Sequence, residues 1–182
     1  MNTKNKLFYS EFKDKSIVIT KEWKNFIDDE WNSYYGFEAI SLPSIIWMQE
    51  KILRKIHQTF PFKNVGIIRL PIHYNYNWHK DINRGCGINM LLEHEKSYTF
   101  FEDNQVYSND SNSNQYNFDE FGTKFLELKY KPNTFYAFNT QILHCVYNFD
   151  KPRYLFTCEF AQDHNQLSYD KLYSWMLANK LI

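Results

Sequence analysis

The sequence predicts a mainly β, α+β fold: a double-layered antiparallel β-sandwich or jelly roll with flanking helices. Three observations carry this. From residue 64 to residue 160 the chain breaks into short apolar runs, with turn signals near ten-residue spacing. Ahead of that region, Ile45, Ile46, Met48, Ile52, Leu53, Ile56 and Phe60 recur at helical spacing. Across all 182 residues, 43% hydrophobic and 19% aromatic content supplies a packed core and argues against disorder. The length fits one domain over residues 1–182. Its expected parts are helical and strand support over 1–60, a jelly-roll core over 64–160 and a C-terminal helix over 167–181.

In chain order, Ser16-Ile17-Val18-Ile19-Thr20 reads as a short strand. Lys21 to Trp31 places Trp23, Phe26, Ile27 and Trp31 on one helical face, and core packing is the favoured role for such a stripe. Pro43 ahead of Ser44 is a helix-start signal, so residues 44–59 are expected to form an amphipathic helix covering the sheet. His57, among polar neighbours on that helix, is expected to be a surface residue. After the turn Pro61-Phe62-Lys63-Asn64 come strand-like runs at Val65–Leu70 and Ile72–Trp78. In the second run alternation places Tyr74, Tyr76 and Trp78 on one side. Gly85-Cys86-Gly87 loosens the backbone before strands at Ile88–Leu92 and Ser97–Phe101, which flank a polar turn at Glu93-His94-Glu95-Lys96. Asp103 to Asn117 is rich in Asn, Ser, Asp and Gln and reads as a long loop, either a lid or a bland insertion. Further strands are expected at Phe125–Tyr130, Thr134–Phe138, Ile142–Tyr147 and Arg153–Phe160, with a turn at Lys131-Pro132-Asn133. Leu167 to Leu181 reads as a helix.

The chemistry concentrates in Trp78-His79-Lys80-Asp81, with His144 and Arg153. On an extended backbone His79 and Asp81 leave the same face. His144, in the run Ile142-Leu143-His144-Cys145-Val146, could supply a third ligand. Two histidines and a carboxylate on one face of an octahedral ion leave positions open, an arrangement that suits non-haem Fe(II) enzymes. Arg153 opens the next apolar run, and its guanidinium can fork onto a carboxylate, such as the far end of a dicarboxylic cosubstrate. The bland alternatives are a surface histidine, a turn aspartate, a core histidine and a solvated arginine. His73 is a competing ligand, but six residues of strand would hold it about 20 Å from His79. Tyr76 and Tyr136 could donate hydroxyls to a carboxylate, though 14 tyrosines weaken the case for any one. Glu93, His94 and Glu95 fit a solvated turn better than a metal site.

The ordered set His79-x-Asp81, His144 and Arg153 resembles the Fe(II)/2-oxoglutarate-dependent dioxygenase superfamily over roughly residues 64 to 160. Within it, the runs His79-Lys80-Asp81-Ile82-Asn83-Arg84 and His144-Cys145-Val146-Tyr147-Asn148 up to Pro152-Arg153 look closest to prolyl-hydroxylase-like and aspartyl/asparaginyl-hydroxylase-like members. The resemblance implies a double-stranded β-helix of cupin type. It implies Fe(II) on His79, Asp81 and His144, 2-oxoglutarate anchored by Arg153, and O2 as oxidant. It implies hydroxylation of an amino-acid side chain, free or in a peptide or protein, with release of succinate and CO2. Arg84, Asn89 and Tyr76 are further candidates for contact with the cosubstrate. Two other readings stay open: a cupin-like metalloenzyme that uses no 2-oxoglutarate, and a non-catalytic β-sandwich binding module.

Composition narrows the partners. Twenty-one basic and 21 acidic residues give a formal net charge of zero, which argues against a nucleic-acid partner held through phosphates. No run of about 18 apolar residues exists to span a bilayer. The start Met1-Asn2-Thr3-Lys4-Asn5-Lys6 lacks the apolar segment of a signal peptide. Cys86, Cys145 and Cys158 form no disulfide framework and read as reduced thiols, so an intracellular, cytoplasmic location is expected.

Overall fold

The computed structural model describes residues 6–34, 36–93, 96–102 and 125–182. Two antiparallel sheets face each other across the site. The larger contains β1 (Tyr9–Lys15), β9 (Thr134–Asn139), β6 (Cys86–Leu91), β11 (Arg153–Phe160), β4 (Phe62–Leu70), β3 (Phe37–Ser41) and β2 (Asn32–Tyr34), in that order. The smaller runs β5 (Tyr74–His79), β10 (His144–Asn148), β7 (Ser97–Glu102), β8 (Phe125–Glu127). The architecture is mainly β with flanking helices: the two-layered antiparallel jelly roll that the strand pattern predicts.

The strands are strongly two-faced. On β9, β6, β11 and β4 the outward set includes Phe135, Ala137, Ile88, Met90, Phe156, Cys158 and Ile67, all buried under helices. Ile52, Leu53 and Ile56 of α3 (Lys51–Thr59) and Leu172 and Met176 of α4 (Tyr169–Ala178) cover them. Each buried Ile, Leu, Met or Phe among them contributes about 1.5–3 kcal/mol by leaving water. The opposite face of the large sheet meets the small sheet. Phe8, Phe101, Leu128, Tyr136 and Phe138 close one end of that interlayer.

The structure corrects several sequence expectations. Ser16 to Thr20 is not a strand: it turns into α1 (Ile19–Glu22), and the strand lies earlier, at β1. The reason is Glu50, 4% exposed, whose Oε1 accepts from Ser16 Oγ at 2.7 Å and from the backbone N–H of Ile17, Val18 and Ile19 at 2.9, 2.8 and 3.0 Å. The same residue breaks the expected 44–59 helix into α2 (Ser44–Trp47) and α3, since its backbone is extended at φ −71, ψ 109. The stripe from Trp23 to Trp31 packs on the core as expected, but through α1 and a 3-10 turn at Trp23–Phe26. His57 is not a bare surface residue: its Nδ1 accepts from Phe62 N–H at 2.9 Å and its ring packs on Trp47 and Phe62. β8 stops at Glu127, short of Tyr130. At Gly36, φ is +92 and any Cβ would overlap the Tyr74 ring, so this turn between β2 and β3 requires glycine. The expected loop from Asp103 to Asn117, and His94 and Glu95 of the polar turn, lie outside the described residues; Glu93 pairs with Lys24 at 3.4 Å.

Candidate metal centre

β5 and β10 lie side by side with His79 directly opposite His144. One step earlier the register shifts: Tyr76, not Asn77, faces Val146, so β5 carries one extra residue there. That bulge resets the alternation. Tyr76 and His79, three apart, both turn inward with ring centroids 4.4 Å apart. Trp78 turns outward onto Leu143 and Cys145. The strict alternation that put Tyr76 and Trp78 on one face therefore fails at this point.

His79, Asp81 and His144 each present one ligand atom, and these atoms lie within 4.8 Å of one another. His79 Nε2 is 3.8 Å from Asp81 Oδ1, and the two imidazole centroids are 4.2 Å apart. Each Nδ1 bonds a backbone carbonyl two residues back: His79 to Asn77 O at 2.7 Å, His144 to Ile142 O at 2.8 Å. The carbonyl can only accept, so Nδ1 carries the proton and Nε2 is left with a lone pair for a cation. Burial lowers both pKa values. For His79 the bond to Asn77 O and the Asp81 charge oppose it in part. For His144 burial, reinforced by His79, pushes the value down to about 3. Both rings are thus neutral at pH 7, as ligation requires.

The loop that carries Asp81 is fastened to the turn between β9 and β10. Asp81 N–H donates to Thr140 O at 3.0 Å. Gln141 Nε2 donates to Asp81 O at 2.8 Å and to Arg84 O at 2.6 Å, and Thr140 Oγ1 also donates to Arg84 O. Arg84 Nη2 sits 2.8 Å from Asp81 Oδ2, so the guanidinium orients the carboxylate. Arg84 is thereby placed beside the candidate ligand Asp81 rather than beside Arg153.

Across the interlayer, Arg153 opens β11 opposite Leu70 and is only 3% exposed. Asn148 Nδ2 holds the approach to it, donating to Pro71 O and Lys151 O at 2.7 Å each. Arg153 Nη2 donates to Thr99 Oγ1 at 2.9 Å, while Nε and Nη1 are buried without an oxygen acceptor. Its Cζ lies 5.7 Å from the Tyr130 ring centroid. The Tyr130 hydroxyl lies within hydrogen-bonding reach of Arg153, Thr99 and Asn89, and burial raises its pKa. Burial lowers that of Arg153. Among the described residues no carboxylate pairs with Arg153. A buried cation without a counter-charge is costly, so this guanidinium calls for an anionic ligand.

His79, Asp81, His144, Arg84, Tyr76, Asn89 and Arg153 all line one cavity of about 160 Å³, with Thr99, Tyr130 and Thr140. All seven sequence candidates therefore meet in one place. Tyr136 does not: it is buried at the sealed end, its hydroxyl accepting from Lys131 N–H. His73 does not: it is exposed in the turn ahead of β5, with its N–H on Phe149 O. Tyr130, Thr99 and Gln141 carried no sequence signal. Tyr130 is one of 14 tyrosines, and Gln141 acts through backbone carbonyls that no motif records.

The donor set fits a divalent metal with imidazole and carboxylate preference, and the orphaned Arg153 nitrogens fit a small dicarboxylate in the same cavity. The sequence matches no family model and no curated protein sequence. Solved structures do match in three dimensions. A Pseudomonas putida prolyl-4-hydroxylase superposes with TM-score 0.55 at 10% identity, over 85% of this chain and 92% of that one. A Trichoplax adhaerens prolyl hydroxylase, solved with a peptide fragment of the hypoxia-inducible factor oxygen degradation domain, gives 0.55 at 10% identity, over 82% and 78%. The non-haem α-ketoglutarate-dependent epimerase SnoN of nogalamycin biosynthesis gives 0.55 at 8% identity, over 82% and 76%. The chain has the double-stranded β-helix fold of these oxygenases.

Proposed function

We propose that this chain is an Fe(II)- and 2-oxoglutarate-dependent dioxygenase that hydroxylates an amino-acid side chain, free or within a peptide. One observation carries the reading. Among the described residues, the only carboxylate–histidine cluster of metal-binding geometry shares its cavity with a buried arginine, and no described carboxylate pairs with that arginine. His79, Asp81 and His144 would hold the iron, and Arg153, with Tyr130 and Thr99 beside it, would take the remote carboxylate of 2-oxoglutarate. Bound there, iron and keto acid would supply the oxidising chemistry, converting substrate C–H, O2 and 2-oxoglutarate to alcohol, succinate and CO2. The protein's part is orientation and exclusion of water. The backbone carbonyls of Asn77 and Ile142 fix both imidazoles, Arg84 and Gln141 fix Asp81, and Phe138, 4.9 Å from the His144 ring, walls the ligand set. The peptide held by the Trichoplax neighbour supports a peptide substrate. Among the described residues no helix is long and apolar enough to cross a membrane.

The test is optical. Fe(II) and then 2-oxoglutarate are added without oxygen, and the visible spectrum is followed. Chelation of the metal by the keto acid is expected to give a weak charge-transfer band. His79→Ala should abolish it. Arg153→Ala should raise the 2-oxoglutarate needed by about 10–100-fold, the worth of a charged hydrogen-bond pair. Iron binding without a band would favour a cupin-like metalloenzyme instead, and no iron binding at all would favour a binding module.

A further inference from the structure

The cavity that holds the ligand set is not the larger one. A second chamber of about 320 Å³ adjoins it, lined by residues of β2, β3, β4 and β11, and the two share Phe37, Ile68, Arg84 and Thr157. Phe37, which lines both, packs on Tyr76 of the ligand cavity with ring centroids 6.0 Å apart and on Tyr34 of the second chamber at 5.7 Å. Among the described residues Arg84 is the one arginine or lysine lining either chamber apart from Arg153. Its side chain is one-third exposed, and among the described residues Asp81 is its one ionic partner, through Nη2. An arginine has five N–H donors, so the contact with Asp81 leaves donors for a second anion at a residue that lines both chambers.

Charge accounting makes that exposure informative, and it rests on the oxygenase reading above. The imidazoles are neutral. One cosubstrate carboxylate and Asp81 would together balance the divalent metal. The other cosubstrate carboxylate balances Arg153. At the outer end, Glu159 is balanced by Lys63 at 3.7 Å. Arg84 is left over, at the seam between the ligand cavity and the chamber large enough for a substrate. We infer that the substrate carries a carboxylate, that it sits in this second chamber, and that Arg84 is the residue that selects it. The anion is either the α-carboxylate of an amino acid or chain end, or the side chain of an aspartate or glutamate within a peptide. Because Arg84 is fastened to Asp81, a carboxylate anchored on it would lie near the ligand set, and the carbon to be oxidised would lie near that carboxylate.

The test uses the protein loaded with Fe(II) and 2-oxoglutarate, both saturating. Three probe sets are compared for the succinate they elicit: N-acetyl amino acids with a free α-carboxylate, N-acetyl aspartate and glutamate α-amides, and N-acetyl amides of neutral amino acids. One carboxylate set is expected to stimulate at least about tenfold more than the neutral amides, the scale of one charged hydrogen-bond pair. Which set wins identifies the source of the carboxylate. Arg84→Gln should collapse that preference within the variant, and Arg84→Lys should keep part of it. A second readout needs no turnover. In the zinc-loaded protein the Arg84 Nε–H resonance, assigned by its loss in Arg84→Lys, should shift with the winning probe and not with its amide. Neutral amides as effective as acids, an unchanged preference in Arg84→Gln, or no response to any carboxylate while the charge-transfer band forms would overturn the inference. Absence of the band itself counts against the oxygenase reading, and the Arg84 resonance then decides the anion site separately.

Discussion

His144 illustrates how much one side chain's surroundings set. It is buried between Phe101, Phe138 and His79, and burial holds its pKa near 3, while an unfolded chain would protonate it around 6.5. The folded, metal-free protein therefore binds fewer protons than the unfolded chain between those values. Stability contributed by the neutral ring is complete above pH 6.5 and falls as pH drops from 6.5 towards 3. The slope is at most about 1.4 kcal/mol per pH unit for one ring. Urea unfolding of metal-free protein at pH 7 and pH 5 should show the loss, and His144→Gln should flatten the slope by about one proton. Equal slopes in both proteins would show that the ring is protonated in the fold. The sequence brought His79, Asp81, His144 and Arg153 into view because ligand types at i and i+2, and an arginine at a strand start, are local signals. Tyr130, Thr99 and Gln141 reach the same cavity only through tertiary contacts, which spacing does not encode.

Elements were legible where a face repeats and illegible where one contact overrides the repeat. The apolar rows of β4, β6, β9 and β11 predict their strands, and Ile52, Leu53 and Ile56 predict α3. Residues 6–41 mislead because β1 and β2 are edge strands with polar faces, and because Glu50 overrides local preference twice. A β-branched run at Ile17-Val18-Ile19 favours a strand, yet three successive N–H groups point at one carboxylate oxygen. Glu50→Ala removes the acceptor for four donors and should cost about 2–3 kcal/mol, the penalty of orphaned buried donors. Glu50→Gln keeps an acceptor oxygen and should cost less. Denaturant midpoints of the two variants check the order; equal losses would mean that the charge, not the acceptor, matters. The bulge in β5 is the other override: one extra residue moved Trp78 outward and brought Tyr76 beside His79.

At the scale of the molecule, the candidate ligands are divided between the layers. His79 and His144 belong to the small sheet, and Arg153 to the large one. A metal alone would engage only the small sheet and the loop after it, whereas a dicarboxylate chelated to that metal and paired with Arg153 would tie the two layers together. Binding to the folded state at about 100 times Kd is worth about 2.7 kcal/mol, and in a chain of this size each 1 kcal/mol moves Tm by about 2–4 °C. A redox-silent metal such as Zn(II) should therefore raise Tm by about 5–10 °C, and 2-oxoglutarate should add a further increment only when the metal is present. Arg153→Ala should keep the metal increment and lose most of the second. Differential scanning fluorimetry of the four combinations separates the two layers' contributions. A 2-oxoglutarate increment that survives Arg153→Ala would place the remote carboxylate elsewhere, and one that appears without metal would mean the keto acid is held by the large sheet alone.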